Sequence, residues 1–454
     1  MVQKPTEQFS LNIPDTDKPR IIIIGGGFGG INLIKKLKSS RFQVVIFDRH
    51  NYHTFQPLLY QVATAGLEPD SVAGPLRKIL DSKKEIYFRM LEAGHVDTAE
   101  NKIHTEAGSL SYDYLIIASG AVTNYFGNED IEENAFPLKQ ISHAMDLRNH
   151  IFSRFERMEI MTDEKEMEKQ ATYVIVGAGP TGVELCGALA ELRKHILSKD
   201  YPDLDIAKMK IFLVEGLPDV LPAMSGKAGH KARKYLEDMG VEILLESMTE
   251  SYDGDTVKLS TGKTIRAGTL IWAAGVKGNL PGGFGEGSIT KGKLHVNSKN
   301  QVFRDKEKAE PFDNIFAIGD VSFMEYEGYP KGLPGLAQVA VQQGKQLAKN
   351  ITRLANNNRS HDFRYKNKGV LATIGRNRAV ADFPRNIHVY GVPGWFIWSI
   401  VHLLFLVGFR NKTVVFANWF WNYFTWDRGM RLILQASSKE KTKQAGKKNR
   451  QEHK

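Results

Sequence analysis

Residues 20–30 read RIIIIGGGFGG, and residues 172–182 read TYVIVGAGPTG. Each stretch is an apolar run of strand length followed at once by glycines, the pattern of a strand buried on both faces. Gly25, Gly27 and Gly30 fill the three positions of G-x-G-x-x-G in the first, and Gly177, Gly179 and Gly182 fill them in the second. A helix-periodic segment follows each, INLIKKL and VELCGALAEL. The first glycine allows a tight turn, the second lets a pyrophosphate approach the backbone, and the third lets the helix pack on the strand. The helix N-terminus beyond offers unpaired N–H groups and a partial positive charge to phosphates. Both units then reach a second strand that closes on an acid, FQVVIFD on Asp48 and KIFLVEG at Glu215, placed to accept from ribose hydroxyls. One such fingerprint is weak evidence; two complete ones predict an α/β chain with two Rossmann-like dinucleotide-binding domains. Asp48 and Glu215 would repel a 2′-phosphate, and nothing basic directly follows Glu215, so the second unit is expected to take NADH rather than NADPH.

The bulk composition is consistent with this. At 454 residues the chain has room for two or three cores, and 42% hydrophobic with 25% charged residues excludes disorder as the main state. Cys186 is the only cysteine, which excludes an intramolecular disulfide, a cysteine-rich zinc site, a cysteine-ligated iron–sulfur cluster and an active-site dithiol. His50 and His53 are three apart with no further ligand cluster, so no metal is expected. Residues 1–20 hold no apolar run and lack the Arg-rich, acid-poor pattern of a transit peptide, from which a cytoplasmic location is expected.

Further strands end at small residues, as if a backbone must pass close to a ligand: YDYLIIASG at 112–120, ending at Gly120, and TLIWAAGVKG at 269–278, with Ala274 and Gly275. FDNIFAIGD at 312–320 brings another strand into Gly319 and Asp320; it resembles the second flavin motif of two-dinucleotide flavoprotein reductases, in which the aspartate contacts the ribityl chain. Taken with NYHTFQPLLYQVATAGL at 51–67, GAGPTGVELCGAL at 177–189, GLPGLAQVAVQQGK at 332–345 and YKNKGVLATIGRNRAVAD at 365–382, the order of motifs resembles the type II NADH:quinone oxidoreductases.

That resemblance implies FAD on the first unit, NADH on the second, and a membrane quinone (menaquinone or ubiquinone) as acceptor. It implies a discontinuous FAD domain at 1–136 and 305–390 with the NADH domain, 137–304, inserted. Flavin-side residues would be Gly25, Gly27, Phe28, Gly29, Gly30, Asp48, Arg49, Gly120, Asp320, Ala337, Gln338 and Lys368. Gly177, Gly179, Gly182, Glu184, Glu215, Ala274 and Gly275 would serve NADH. Glu184, in the first turn of its helix, would contact the nicotinamide and handle protons near the quinone; a glutamate that only stabilises the helix dipole is the plainer alternative. Gln338 and Gln342 are four apart and share a helix face, where neutral amides could meet the flavin edge or a quinone carbonyl, while Gln343 points elsewhere. Tyr52 and Phe55 would shape the pocket or simply pack.

The C-terminal region, 391–436, reads as an amphipathic helical membrane anchor. WFIWSIVHLLFLVGF at 395–409 would rise about 22 Å as a helix, short of the roughly 30 Å of a span, and it carries His402. Five of the six tryptophans lie between 395 and 426, and rings of this kind favour the headgroup level. Arg410, Lys412, Arg428, Arg431 and a basic tail at 437–454 would meet anionic lipid on the cytoplasmic face of the inner membrane. The same aromatics could instead bury in a homodimer interface. Nucleic acid is not expected as a partner. Rival readings are a flavoprotein reductase with another acceptor, a sulfide:quinone oxidoreductase, which needs a cysteine pair, and a redox-sensing flavoprotein.

Overall fold

Ile21, Ile22, Ile23 and Ile24 are all buried in the strand Arg20–Ile24, and they divide between two cores. Ile22 and Ile24 pack with Val45, Phe47, Leu115 and Ile117; Ile21 and Ile23 pack with Val44, Ile46 and Ile116. Side chains alternate across a strand, so a run buried on both faces belongs in the middle of a parallel sheet. The computed structural model, which describes residues 9–37, 41–80 and 85–434, places it there. The sheet runs Gln301–Asp305, Glu310–Ala317, Tyr114–Ile117, Arg20–Ile24, Gln43–Asp48, Ile86–Met90, parallel except for the edge strand Gln301–Asp305. Loop helix Phe28–Lys36 lies against helix Ala337–Leu354, and a Cβ on Gly344 would sit 2.4 Å from the Gly29 carbonyl oxygen, so the two backbones nearly touch.

The second fingerprint repeats the design. A five-stranded parallel sheet runs Phe136–Pro137, Thr269–Trp272, Thr172–Val176, Lys210–Val214, Glu242–Leu244. Its loop helix, Pro180–Leu192, packs on an antiparallel sheet of Val370–Gly375, Arg378–Phe383 and Ile387–Tyr390. A Cβ on Gly187 would sit 1.9 Å from the Ile374 carbonyl oxygen, so glycine at this helix position is what lets that sheet come close.

The chain divides into two compact units, one holding the described residues up to Thr54 with Ala73–Phe126 and Gly275–Lys368, the other Phe55–Val72, Gly127–Ala274 and the described residues from Gly369. These limits differ from the 136, 304 and 390 expected. The chain re-enters the first unit at Gly275 because Val276–Gly278 pairs with Ala121–Thr123 of that unit. Residues 370–390 go with the second unit because their sheet packs on its loop helix.

Helices Gly391–Phe405 and Phe409–Thr425 follow, both in the second unit, and no helix among the described residues is long and apolar enough to cross a membrane. One face of the pair is exposed and apolar: Phe396, Ile400 and Leu404 on the first, Phe409, Phe416, Phe420 and Phe424 on the second. The tryptophans do not all share that face. Trp398 is 2% exposed, Trp419 donates its ring N–H to Gln61 Oε1 at 2.8 Å, and Trp426 lies against Arg376. Arg428 is likewise turned inward, paired with Glu191 at 2.9 Å, and Arg431 pairs with Asp200 at 3.0 Å, so neither is free for lipid. The basic tail expected at 437–454 lies outside the described residues.

Candidate active site

The two glycine loops separate the reasons for their glycines. In the first unit a Cβ on Gly25 would lie 2.3 Å from the Ala118 carbonyl oxygen, and one on Gly30 would lie 2.1 Å from the Gly25 oxygen. In the second, Gly177 faces Ala274 N at 2.8 Å and Gly182 faces the Gly177 oxygen at 1.9 Å. These positions are closed by the protein itself. The middle glycines are different: among the described residues nothing comes within 4 Å of a Cβ placed on Gly179, and one on Gly27 meets only the Ala118 oxygen at 4.0 Å. Their φ values, −76° at Gly27 and −70° at Gly179, suit any residue. Nothing among the described residues requires glycine there, and each caps the N-terminus of a helix, so the open space in front of each fits a dinucleotide phosphate. Gly120, at φ 72°, also faces open space.

The acids at the strand ends hold their own loops. Asp48 accepts from Gly26 N–H at 2.6 Å and His50 N–H at 2.8 Å; Glu215 accepts from Ala178 N–H at 2.7 Å and Leu217 N–H at 3.0 Å. A carboxylate has about four lone-pair sites, so each can hold its loop and still accept from a ribose.

Asp320 sits in the turn Gly319–Val321, whose Gly319 N–H donates to Gln343 Oε1 at 2.8 Å. Gln343 also donates to Asn300 at 3.0 Å, so it braces this turn from a buried position, a role the sequence reading missed. Gln342 uses both ends of its amide on the Lys366 backbone at 3.0 Å, and Gln338 accepts from Lys368 N–H at 3.3 Å. The pair of glutamines thus holds the 366–368 segment on the helix that begins at Ala337. Arg49 makes an exposed ion pair with Glu92 at 3.6 Å, and the Gly29 site packs on Ile318. Phe28 meets His53 edge-on at 5.0 Å. Tyr52 stacks on His50, and Phe55 is buried edge-on to His402.

Glu184 lies in the second unit, 6% exposed, in a cleft lined also by Tyr60, Gln61, Thr373, Trp398 and Trp419. Burial pushes its carboxyl up to about 8; a weak hydrogen bond from Thr373 N–H at 3.4 Å and the nearby Trp398 ring, which is outside hydrogen-bond geometry, offset this only in part. Tyr60 is buried beside it, with its hydroxyl well above the usual range through burial and the Glu184 charge. Its oxygen accepts from Gln61 Nε2 at 2.8 Å, which leaves the phenol proton for another acceptor. At neutral pH the cleft therefore offers two O–H donors. At its rim, Glu191 meets Arg428 and the Arg376 backbone N–H, while the Arg376 guanidinium binds the Tyr423 and Asn422 carbonyls that end helix Phe409–Thr425. Ala274 stands against Gly177 in this unit; Gly275, at φ 71°, lies across the boundary in the first, against Phe126.

Residues 19–344 match the family model of pyridine nucleotide-disulphide oxidoreductases, and residues 367–426 match the NDH2 C-terminal domain. The chain is 34% identical over 453 residues to the type II NADH:quinone oxidoreductase Ndh of Mycobacterium tuberculosis, covering 97% of this chain and 94% of that protein. It is 29% identical over 371 residues to the type II NADH:quinone oxidoreductase of Staphylococcus aureus, covering 80% and 89%. Among solved structures it resembles NDH2 from Plasmodium falciparum in complex with NADH, with TM-score 0.83 and 22% identity over 92% of this chain and all of that one. The sulfide:quinone oxidoreductase of Aquifex aeolicus shares the fold, with TM-score 0.69 and 20% identity over 92% of this chain and 96% of that one. It offers no closer reading, since Cys186 is single, free and buried on the second loop helix. With both fingerprints complete, a matching C-terminal domain and full-length relatives at this identity, the chain belongs to the type II NADH:quinone oxidoreductase family.

Proposed function

We propose that the chain binds NADH on the second loop and FAD on the first, and delivers two electrons to a quinone that reaches it from a lipid surface. FAD, when bound, supplies the step between a two-electron hydride donor and a quinone. The protein's own work is positioning and proton supply. The middle glycines support this most directly: two sites where the protein gains nothing from glycine, each facing open space at a helix start. Asp48 and Glu215 hold those loops and disfavour a 2′-phosphate. In the cleft of the second unit, Glu184 holds a proton at neutral pH and Tyr60 presents an O–H, so the site can protonate a quinone oxygen without adding net charge. Gln338, Gln342 and Lys368 shape the flavin side, with Gln342 acting through the backbone it holds.

The exposed row Phe396, Ile400 and Leu404, with Phe409, Phe416, Phe420 and Phe424, suits an in-plane anchor on the cytoplasmic face of the membrane, because each side chain would bury in the acyl boundary. Steady-state kinetics on detergent-solubilised protein test the whole reading, with NADH against NADPH and a quinone against a soluble dye. NADH should be preferred and the quinone reduced; preference for NADPH, or no quinone turnover, would overturn it.

A further inference from the structure

In both units the residue between the first two glycines is held from two sides. On the first loop this is Gly26, whose N–H donates to Asp48 at 2.6 Å and whose carbonyl oxygen lies 3.0 Å from His53 Nδ1. On the second it is Ala178, whose N–H donates to Glu215 at 2.7 Å and whose carbonyl accepts from the backbone N–H of Leu221 at 2.8 Å. A carbonyl can only accept, so His53 carries its proton on Nδ1. The imidazole is 3% exposed, and burial lowers it to about 4, so it is neutral at pH 7 with Nδ1–H as its one donor.

The grip matters because of the peptide that it fixes. The Gly26 carbonyl shares a planar trans peptide with Gly27 N–H, and the two point in opposite directions. A hydrogen bond that draws the carbonyl inward turns Gly27 N–H outward, toward the open space in front of Gly27. Leu221 does the same for Gly179 N–H in the second unit. Neither amide has a protein acceptor among the described residues.

From this duplication we infer that His53 is a positioning residue of the FAD loop: it aims Gly27 N–H at the dinucleotide phosphate, the task that a backbone amide performs on the NADH loop. The inference rests on the assignment of FAD to the first loop. A side chain does this work on one loop only, so one substitution can separate the two cofactor sites.

Asparagine and glutamine tell the donor from the ring. An Asn amide nitrogen takes the place of Nδ1 and can still donate to Gly26; a Gln amide takes the place of Nε2 and cannot. The FAD dissociation constant of the holoenzyme is read from the fluorescence of flavin released on dilution, for the parent, His53→Asn, His53→Gln and His53→Phe. NADH KM is measured at saturating FAD. Leaving the Gly26 carbonyl without its donor should raise the FAD constant roughly 5- to 150-fold in His53→Gln and His53→Phe. His53→Asn should stay within about threefold of the parent, and NADH KM should hold in all of them. Equal retention by Asn and Gln, or a parallel rise in NADH KM, would overturn the assignment. A parent that releases no flavin because it never held any would instead sink the FAD reading on which the inference rests.

Discussion

Replacing Glu184 by glutamine should make the second unit's stability less dependent on pH, and the sign follows from the burial of the carboxyl. The folded protein holds the Glu184 proton up to about 8, whereas the unfolded chain releases it near 4.5. Between those values the unfolded state binds fewer protons, so stability is highest below 4.5 and falls as pH rises. At about 1.4 kcal/mol per pH unit the loss reaches about 3 kcal/mol by pH 7, and about 5 kcal/mol once the folded group has titrated. Glutamine is neutral throughout and keeps the shape, so the variant should gain on the parent steadily from pH 5 to pH 8. All six tryptophans lie in the second unit, so their fluorescence reports on that unit alone. Urea unfolding followed at 340 nm or so, at four pH values in detergent, gives the difference directly. Parallel pH profiles for parent and variant would mean that Glu184 is ionised in the folded state, and the proposed proton source would go with it. The same variant should keep its flavin and lose quinone turnover.

Three other outcomes follow from the geometry. Gly27→Ala should lower FAD affinity and Gly179→Ala should raise NADH KM, each by about tenfold or more, with little change in melting temperature, because the added methyl meets ligand and not protein; a large drop in stability would contradict the open cradle. Gly187→Ala should do the reverse, lowering the melting temperature by several degrees with FAD still bound, since its Cβ would overlap the Ile374 carbonyl; unchanged melting would show that the helix can shift. Arg428→Met should cost up to about 3–5 kcal/mol by stranding Glu191, less in so far as both side chains are 13–15% exposed, and adding Glu191→Gln should recover part of it; if the double variant is no better than the single one, the pair is not what holds Arg428.

What could be read from the sequence was what local geometry dictates. The strand–glycine–helix units, the acids that follow them and the helical pair at the C-terminus all depend on neighbours within a few tens of residues, so their spacing was enough. The direction in which side chains face at long range was not legible. A row of tryptophans near a basic segment has the composition of a membrane belt, yet Trp398 and Trp419 turn toward Glu184 and Gln61. Helical spacing held part of the answer: Phe396, Ile400 and Leu404 recur every four residues on one face, and Trp395, Trp398 and His402 lie together on the other. Arg428 looked like a lipid contact because its acid partner is 237 residues away. The braces were also hidden: Gln343 differs from Gln342 only by one helix step, and that step sends it into the core.

The burial of Glu184 had a sequence signal after all, in Gly187. Glycine in the middle of a helix costs about 1 kcal/mol against alanine and calls for a reason. Here the reason is the close approach of Ile374, and that approach brings the Thr373 N–H over Glu184 less than one turn back along the helix. Two turns onward from Glu184, and so on the same face, comes Glu191. The helix therefore presents two carboxyl groups to one cleft in unlike surroundings. Glu191 meets the Arg428 guanidinium and the Arg376 backbone N–H; Glu184 meets one distant N–H and the nearby Trp398 ring, with no cation among the groups that act on it. A carboxyl that is to hold a proton at neutral pH belongs where no cation reaches, and both arginines that line the cleft are committed elsewhere, Arg428 to Glu191 and Arg376 to the Tyr423 and Asn422 carbonyls. That division of labour between two acids on one helix makes Glu184, and not Glu191, the group to follow when quinone reduction is measured against pH.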